Sequence, residues 1–123
     1  MKKTCKICEK KKRNVIRVIP LEKDIQNACC EYLELKRHLF WRQNTAPVYD
    51  PTKKVFRSMP KYAMKGIPDI IVLTEGGYFV GIEVKRPGGK PSKDQKEFAQ
   101  KCQRIGAEYH IVTSLDQLKE IGL

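Results

Sequence analysis

The sequence predicts an α/β fold, a small mixed β-sheet flanked by helices, on three observations. Two β-rich runs, 67–74 (IPDIIVLT) and 78–85 (YFVGIEVK), lie either side of Glu75-Gly76-Gly77 and read as a hairpin. A helical periodicity precedes the pair and a helix-capping signature follows it. At 123 residues the chain suits one domain. We expect a basic arm over residues 1–17 and a single domain over 18–123.

The elements follow in order. Ile25, Ala28, Cys29, Tyr32, Leu33 and Leu39 recur mostly at steps of three and four, with Lys23, Glu34 and Lys36 between them. This spacing predicts a helix over about 21–38, and Pro20 is acceptable in its first turn. Residues 40–45 read as a short strand. The stretch 46–66 carries Pro47, Pro51 and Pro60 and reads as a long loop, with an edge strand near 55–57. Loops of that length in a small domain are often functional. After the hairpin, Arg86-Pro87-Gly88-Gly89-Lys90-Pro91 ends the second strand. Ser92 and Gln95 form a capping box that opens a helix to about Arg104, with Phe98, Ala99, Cys102 and Ile105 on its buried face. Gly106 fits the C-cap region. Residues 109–113 form a last strand. Ser114 with Gln117 repeats the box for a short helix carrying Leu115, Leu118 and Ile121.

The formal net charge is +11, and residues 1–17 hold eight Lys or Arg against one Glu. Such an arm contacts phosphates through a sequence-independent attraction; the alternative is a solvated tail. No apolar run is long enough to span a membrane, and the basic start lacks the apolar core of a signal peptide. Five cysteines, two of them adjacent, make a poor disulfide framework, so the reducing cytoplasm is expected. Cys5-Lys6-Ile7-Cys8 has zinc-knuckle spacing without a second half; two such pairs meeting across a dimer would complete a four-thiolate site. Cys29 and Cys102 are expected in the core, with Cys30 partly exposed. Trp41 is expected to pack in the core, with stacking on a base as the other reading.

Asp69 sits in an otherwise apolar strand, and Glu83 and Lys85 share one face of its neighbour with Gly81. A strict Gly76-Gly77 turn would pair Asp69 with Val84 and send Glu83 to the opposite face. A three-residue loop, 75–77, pairs Asp69 with Glu83 and Ile71 with Gly81, and this is the geometry we expect. Two carboxylates brought together repel, and a divalent cation relieves the repulsion. A structural ion pair of Lys85 with Glu83 or Asp69 is the plainer alternative.

Gly66-Ile67-Pro68-Asp69, thirteen residues, then Glu83-Val84-Lys85 closely resembles the PD-(D/E)XK nuclease superfamily. The match continues through Glu22, Phe40-Trp41-Arg42-Gln43-Asn44, Lys65, Arg86-Pro87-Gly88-Gly89-Lys90 and Ser92 to Gln95. Over roughly residues 20–118 the chain looks like the VRR-NUC family, the virus-type replication–repair nucleases, in a stand-alone phage-type form. The resemblance implies a restriction-endonuclease-like core. It also implies that Asp69 and Glu83 are metal ligands, with the Val84 carbonyl completing the set, and that Glu22 and Gln95 border the site as catalytic residues, Glu22 counting with the metal residues. Lys85 would orient or deprotonate the attacking water. Oxygen-only ligands suit Mg²⁺ or Mn²⁺. For Gln95 the alternative is capping alone, and for Glu22 a favourable acid at a helix N-terminus.

Arg86, Lys90, Lys93 and Lys96, with Lys101 and Arg104, suit one rim of a phosphate track. Arg42, Lys53, Lys54, Arg57, Lys61 and Lys65 suit a second. No base-reading motif is present, so selectivity should come from DNA shape. The leading expectation is a metal-dependent endonuclease on branched DNA, resolving Holliday junctions as a homodimer, because symmetric cleavage needs two sites related by a two-fold. It would be phage-encoded and act in the host cytoplasm, with no membrane and no small organic cofactor. A nicking, flap or mismatch-type endonuclease, and a non-catalytic basic nucleic-acid-binding module, are the alternatives.

Overall fold

A computed structural model describes residues 18–43, 49–56 and 59–123. Helix α1 (Glu22–Leu35) opens without a side-chain cap, but Glu22 and Asp24 in its first turn suit the positive end of the helix dipole. It ends three residues earlier than the spacing predicts. Arg37 adopts φ 58°, and the His38 N–H then donates to the Leu33 carbonyl at 3.1 Å, a left-handed stop made by a residue other than glycine. Leu39 therefore starts strand β1 (Leu39–Arg42) instead of ending the helix.

Short strands β2 (Tyr49–Asp50) and β3 (Val55–Phe56) pair only with each other. The expected edge strand near 55–57 is thus half of a small hairpin, whose turn is held by Asp50 Oδ1 accepting from the N–H groups of Thr52 and Lys53 at 3.0 and 3.3 Å. Arg57, the 44–45 end of the first expected strand, and the whole 1–17 arm with Cys5 and Cys8 lie outside the described residues.

Strands β4 (Ile70–Thr74), β5 (Tyr78–Val84) and β6 (Glu108–Val112) complete the main sheet, in the order β1-β4-β5-β6. The first three strands are antiparallel neighbours, and β6 runs parallel to β5. The sheet is mixed, as predicted. Helix α2 (Lys93–Ile105) connects β5 to β6, and α3 (Leu115–Glu120) follows. The α2 capping box is complete, and Gly106 closes the helix at φ 82°. At α3 the Ser114 hydroxyl caps Gln117, but Gln117 Oε1 reaches back to the Thr113 N–H at 2.6 Å, one residue before the N-cap.

Alternation sorts the sheet into two unlike faces. Ile70, Val72, Val80, Ile82, Val84 and Val112 form the core with Ile25, Cys29 and Leu33 of α1 and Leu118 of α3. Fully burying each such side chain contributes about 1.5–3 kcal/mol. The opposite face carries Phe79, Gly81, Glu83 and Tyr109 beneath α2, whose Phe98 ring lies 6.4 Å from Phe79 and 5.9 Å from Tyr109. Cys29 and Cys102 are buried and Cys30 is half-buried, as expected.

Two expected core residues are not in the core. Phe40 packs against it, so its β1 neighbours Leu39 and Trp41 face the other way at the sheet edge, and Trp41 is 40% exposed. Ile105 is the last residue of α2, just before the left-handed Gly106 turn, and is exposed.

One glycine ties the long loop to α2. Gly66 has φ 78°, and a Cβ there would lie 2.3 Å from the Asp94 carbonyl oxygen. Left-handed geometry and contact with helix backbone both exclude a side chain. Gly66→Ala should therefore destabilise the fold by about 3 kcal/mol, read as a thermal midpoint lower by roughly 10 °C. An unchanged midpoint would show that the loop does not dock on α2.

Candidate active site

Thr74 and Tyr78 are the last pair of the β4–β5 hairpin, so three residues, Glu75 to Gly77, join the strands. Gly76 and Gly77 both have positive φ, 86° and 77°, as the loop requires. The register pairs Ile71 with Gly81 and Ile70 with Ile82, and the next position sets Asp69 opposite Glu83. This is the expected geometry.

Asp69 is held by main chain on both sides. Its carbonyl accepts from the Gln43 N–H at 2.8 Å, continuing the β1–β4 pairing. Its carboxylate Oδ2 accepts from the Val84 N–H at 2.9 Å. Pro68, fully buried, lies on Gly81, where a Cβ would come within 2.6 Å of the Pro68 ring. The segment Gly66 to Asp69 therefore has a physical reading: it docks on α2, crosses the bare Gly81 and delivers the carboxylate to the end of β5.

Glu83 is only 4% exposed. Its Oε1 accepts from Gln95 Nε2 at 2.8 Å and lies 3.7 Å from Lys85 Nζ. Its Oε2 is buried without a hydrogen-bond partner. Gln95 performs both expected roles with different atoms. Its Oε1 accepts from the Ser92 N–H at 2.8 Å to close the capping box, which leaves the amide nitrogen for Glu83. The ion-pair alternative also holds in part, since Lys85 sits beside Glu83.

Burial, reinforced by the Asp69 charge and opposed by Lys85, pushes the Glu83 carboxyl up to about 8. Without a cation, the pair favours holding a proton. A divalent ion supplies the same compensation and releases that proton. The donor set fits a hard ion such as Mg²⁺ or Mn²⁺: two carboxylates, one buried oxygen without a partner, and the Val84 peptide next in the chain. Among the described residues no three His, Cys, Asp or Glu side chains gather. Mg²⁺ suits so sparse a set because it keeps several waters.

Glu22 does not join the pair. It is exposed in the first turn of α1, one turn before Gln26, which accepts a hydrogen bond from Arg42 Nη2. Arg42 pairs with Ile70 and so faces the α1 side of the sheet, away from Glu83. Arg86, Lys90, Lys93 and Lys96 are exposed around the Arg86-to-Gly89 turn and the start of α2. Lys53 and Lys54 stand at the β2–β3 turn, and Lys65 precedes Gly66; all three are exposed.

Two side chains on this face were not placed beside the carboxylate pair by the sequence, although Trp41 had base stacking as its second reading. Trp41 Nε1 donates to Gln43 Oε1 at 3.0 Å beside the strand position that holds Asp69. Tyr109 carries a buried hydroxyl without a partner, pushed up by burial and by the charges of Glu83 and Asp69. Only the parallel β5–β6 register, which no local motif encodes, brings it there. The buried Cys29 thiol is pushed up to about 11, which suits a core residue and not a nucleophile.

Known proteins corroborate the fold. The profile of a family described as the VRR-NUC domain matches residues 9–116. A solved structure titled "VRR_NUC domain" superposes with a TM-score of 0.61 at 21% identity, covering 81% of this chain and 91% of the other. No curated protein matches. Among the described residues no helix is long and apolar enough to cross a membrane.

The raised Glu83 value sets a pH dependence. An unfolded glutamate ionises near 4.5, whereas the native one holds its proton to about 8. Between those values the unfolded chain binds fewer protons, so metal-free stability falls as pH rises through the window. Glu83→Gln should lose that slope and gain relative stability at pH 8. Unfolding of both proteins in chelator from pH 5 to 9 checks it, and parallel pH curves would contradict the assignment.

Proposed function

This chain belongs to the VRR-NUC domain family, nucleases related to the PD-(D/E)XK superfamily, and we propose that it is a metal-dependent endonuclease cutting structured DNA. One observation carries the reading: a buried glutamate opposite an aspartate, with one carboxylate oxygen left unpartnered. Asp69 and Glu83 would hold Mg²⁺ or Mn²⁺, with the Val84 carbonyl completing the protein's share. A bound divalent ion polarises a phosphodiester and makes water more acidic. Lys85, whose Nζ lies 3.7 Å from Glu83 Oε1, would orient the attacking water and offset charge growing on the phosphate. Gln95 fixes the Glu83 carboxylate from α2.

Arg86, Lys90, Lys93 and Lys96 flank the site from the α2 side, and Lys53, Lys54 and Lys65 would serve the second phosphate rim. Holliday-junction resolution by a homodimer is the specific activity we propose, acting in the cytoplasm. The +11 charge and the compact catalytic unit support it, since one such unit makes one cut and a junction needs two.

The test is cleavage of a labelled four-way junction, a flap and a plain duplex, with Mg²⁺, Mn²⁺ or EDTA. Paired symmetric cuts on the junction, abolished by EDTA, are expected. Asp69→Ala should lose at least about a hundredfold in rate, equivalent to several kcal/mol of transition-state stabilisation. If Asp69→Ala cuts as well as the parent, the metal assignment is wrong. A flap-only or nicking pattern, or a one-chain mass in solution, would overturn the resolvase reading while leaving the nuclease.

A further inference from the structure

Among the described residues two buried side-chain polar atoms have no hydrogen-bond partner: Glu83 Oε2 and the Tyr109 hydroxyl. They belong to the same face of the sheet. The parallel register sets Tyr109 beside Gly81, two residues before Glu83, and Gly81 contributes no side chain next to the ring. Phe98 of α2, three residues after Gln95, packs on that ring with centroids 5.9 Å apart. A buried donor without an acceptor destabilises a fold, and a carboxylate oxygen is the strongest acceptor at hand. Two such orphans on one face, one a donor and one an acceptor, form a natural pair.

We propose that Tyr109 is a positioning residue of the site, its hydroxyl holding the Oε2 side of the Glu83 carboxylate through one buried water. The proposal rests on the metal-dependent reading given above. Gln95 grips Oε1 from α2, and Tyr109 grips the other oxygen from β6. Together they fix the plane of the carboxylate, so the lone pairs not engaged by these donors point to one place. Partners of this kind orient a ligand without touching the ion. Tyr109 also ties the site to β6, the strand that encloses β5 on the side away from Asp69.

Tyr109→Phe tests it, because phenylalanine keeps the ring against Phe98 and removes only the hydroxyl. Two readouts are needed: calorimetric titration of the DNA-free protein with Mn²⁺, and the thermal midpoint in chelator. We expect Mn²⁺ binding about tenfold weaker with little change in the metal-free midpoint, since the ring stays packed against Phe98. Affinity within twofold of the parent would overturn the role, whatever happens to the midpoint. A lower midpoint with unchanged affinity would make the hydroxyl a structural group, which also overturns it. If the parent itself binds no Mn²⁺, the metal reading fails and this proposal falls with it, an outcome separable from failure of Tyr109 alone.

Discussion

Asp69 and Glu83 face each other because three residues separate the last pair of the β4–β5 hairpin. A loop shorter by one would turn Glu83 into the apolar layer in place of Ile82 and Val84, where an acid has no partner and would destabilise the fold. With the observed loop, the repulsion between two carboxylates is confined to one end of the sheet, and the surroundings are organised to contain it. The Val84 N–H takes one oxygen of Asp69, and Gln95 and Lys85 converge on one oxygen of Glu83. What remains is a buried oxygen and a carboxyl that prefers a proton or a cation to a bare charge.

The same strand serves two layers. Ile82 and Val84 anchor β5 in the core beneath α1 and α3, and Glu83 and Lys85 project beneath α2. A reactive group placed between fully buried neighbours on a central strand has little freedom to drift, which suits a site that must hold geometry closely. The loop from Gly66 to Asp69 is fixed to α2 by backbone contact and to β5 through Pro68 on Gly81. The aspartate and the glutamine thus reach the site on elements that brace one another. The charge of +11 also gains meaning from position. Exposed Arg86, Lys90, Lys93 and Lys96 lie along the turn after β5 and the start of α2, near a small acidic centre, an arrangement that would attract DNA at its rim and favour a cation at its middle.

Much of this was legible in the sequence, for local reasons. Hairpin length follows from Glu75-Gly76-Gly77 between two alternating runs, and Ser92 with Gln95 is a short-range signature that the α2 cap reproduces atom for atom. Features that depend on distant partners were not legible. The α1 stop needs Arg37 in a left-handed conformation that arginine rarely adopts, so the periodicity ran on to Leu39. Trp41 reads as core by its size, yet its strand lies at a sheet edge and only alternate residues point inward. Strand β2 is two residues long and has no pattern of its own. Tyr109 enters the site through a crossover of α2 and a parallel pairing, neither of which leaves a mark near residue 109. Glu22 matched the family by position, but its place in an exposed first turn sets it apart from the pair.

The central claim is that Asp69 and Glu83 share one divalent cation. Diffraction from crystals grown with Mn²⁺, recorded at a wavelength where manganese scatters anomalously, tests it without recourse to activity. A single anomalous peak within about 2.0–2.3 Å of a carboxylate oxygen from each residue is the predicted result. A map with no peak between the two carboxylates, at an Mn²⁺ concentration that supports cleavage, would contradict the account.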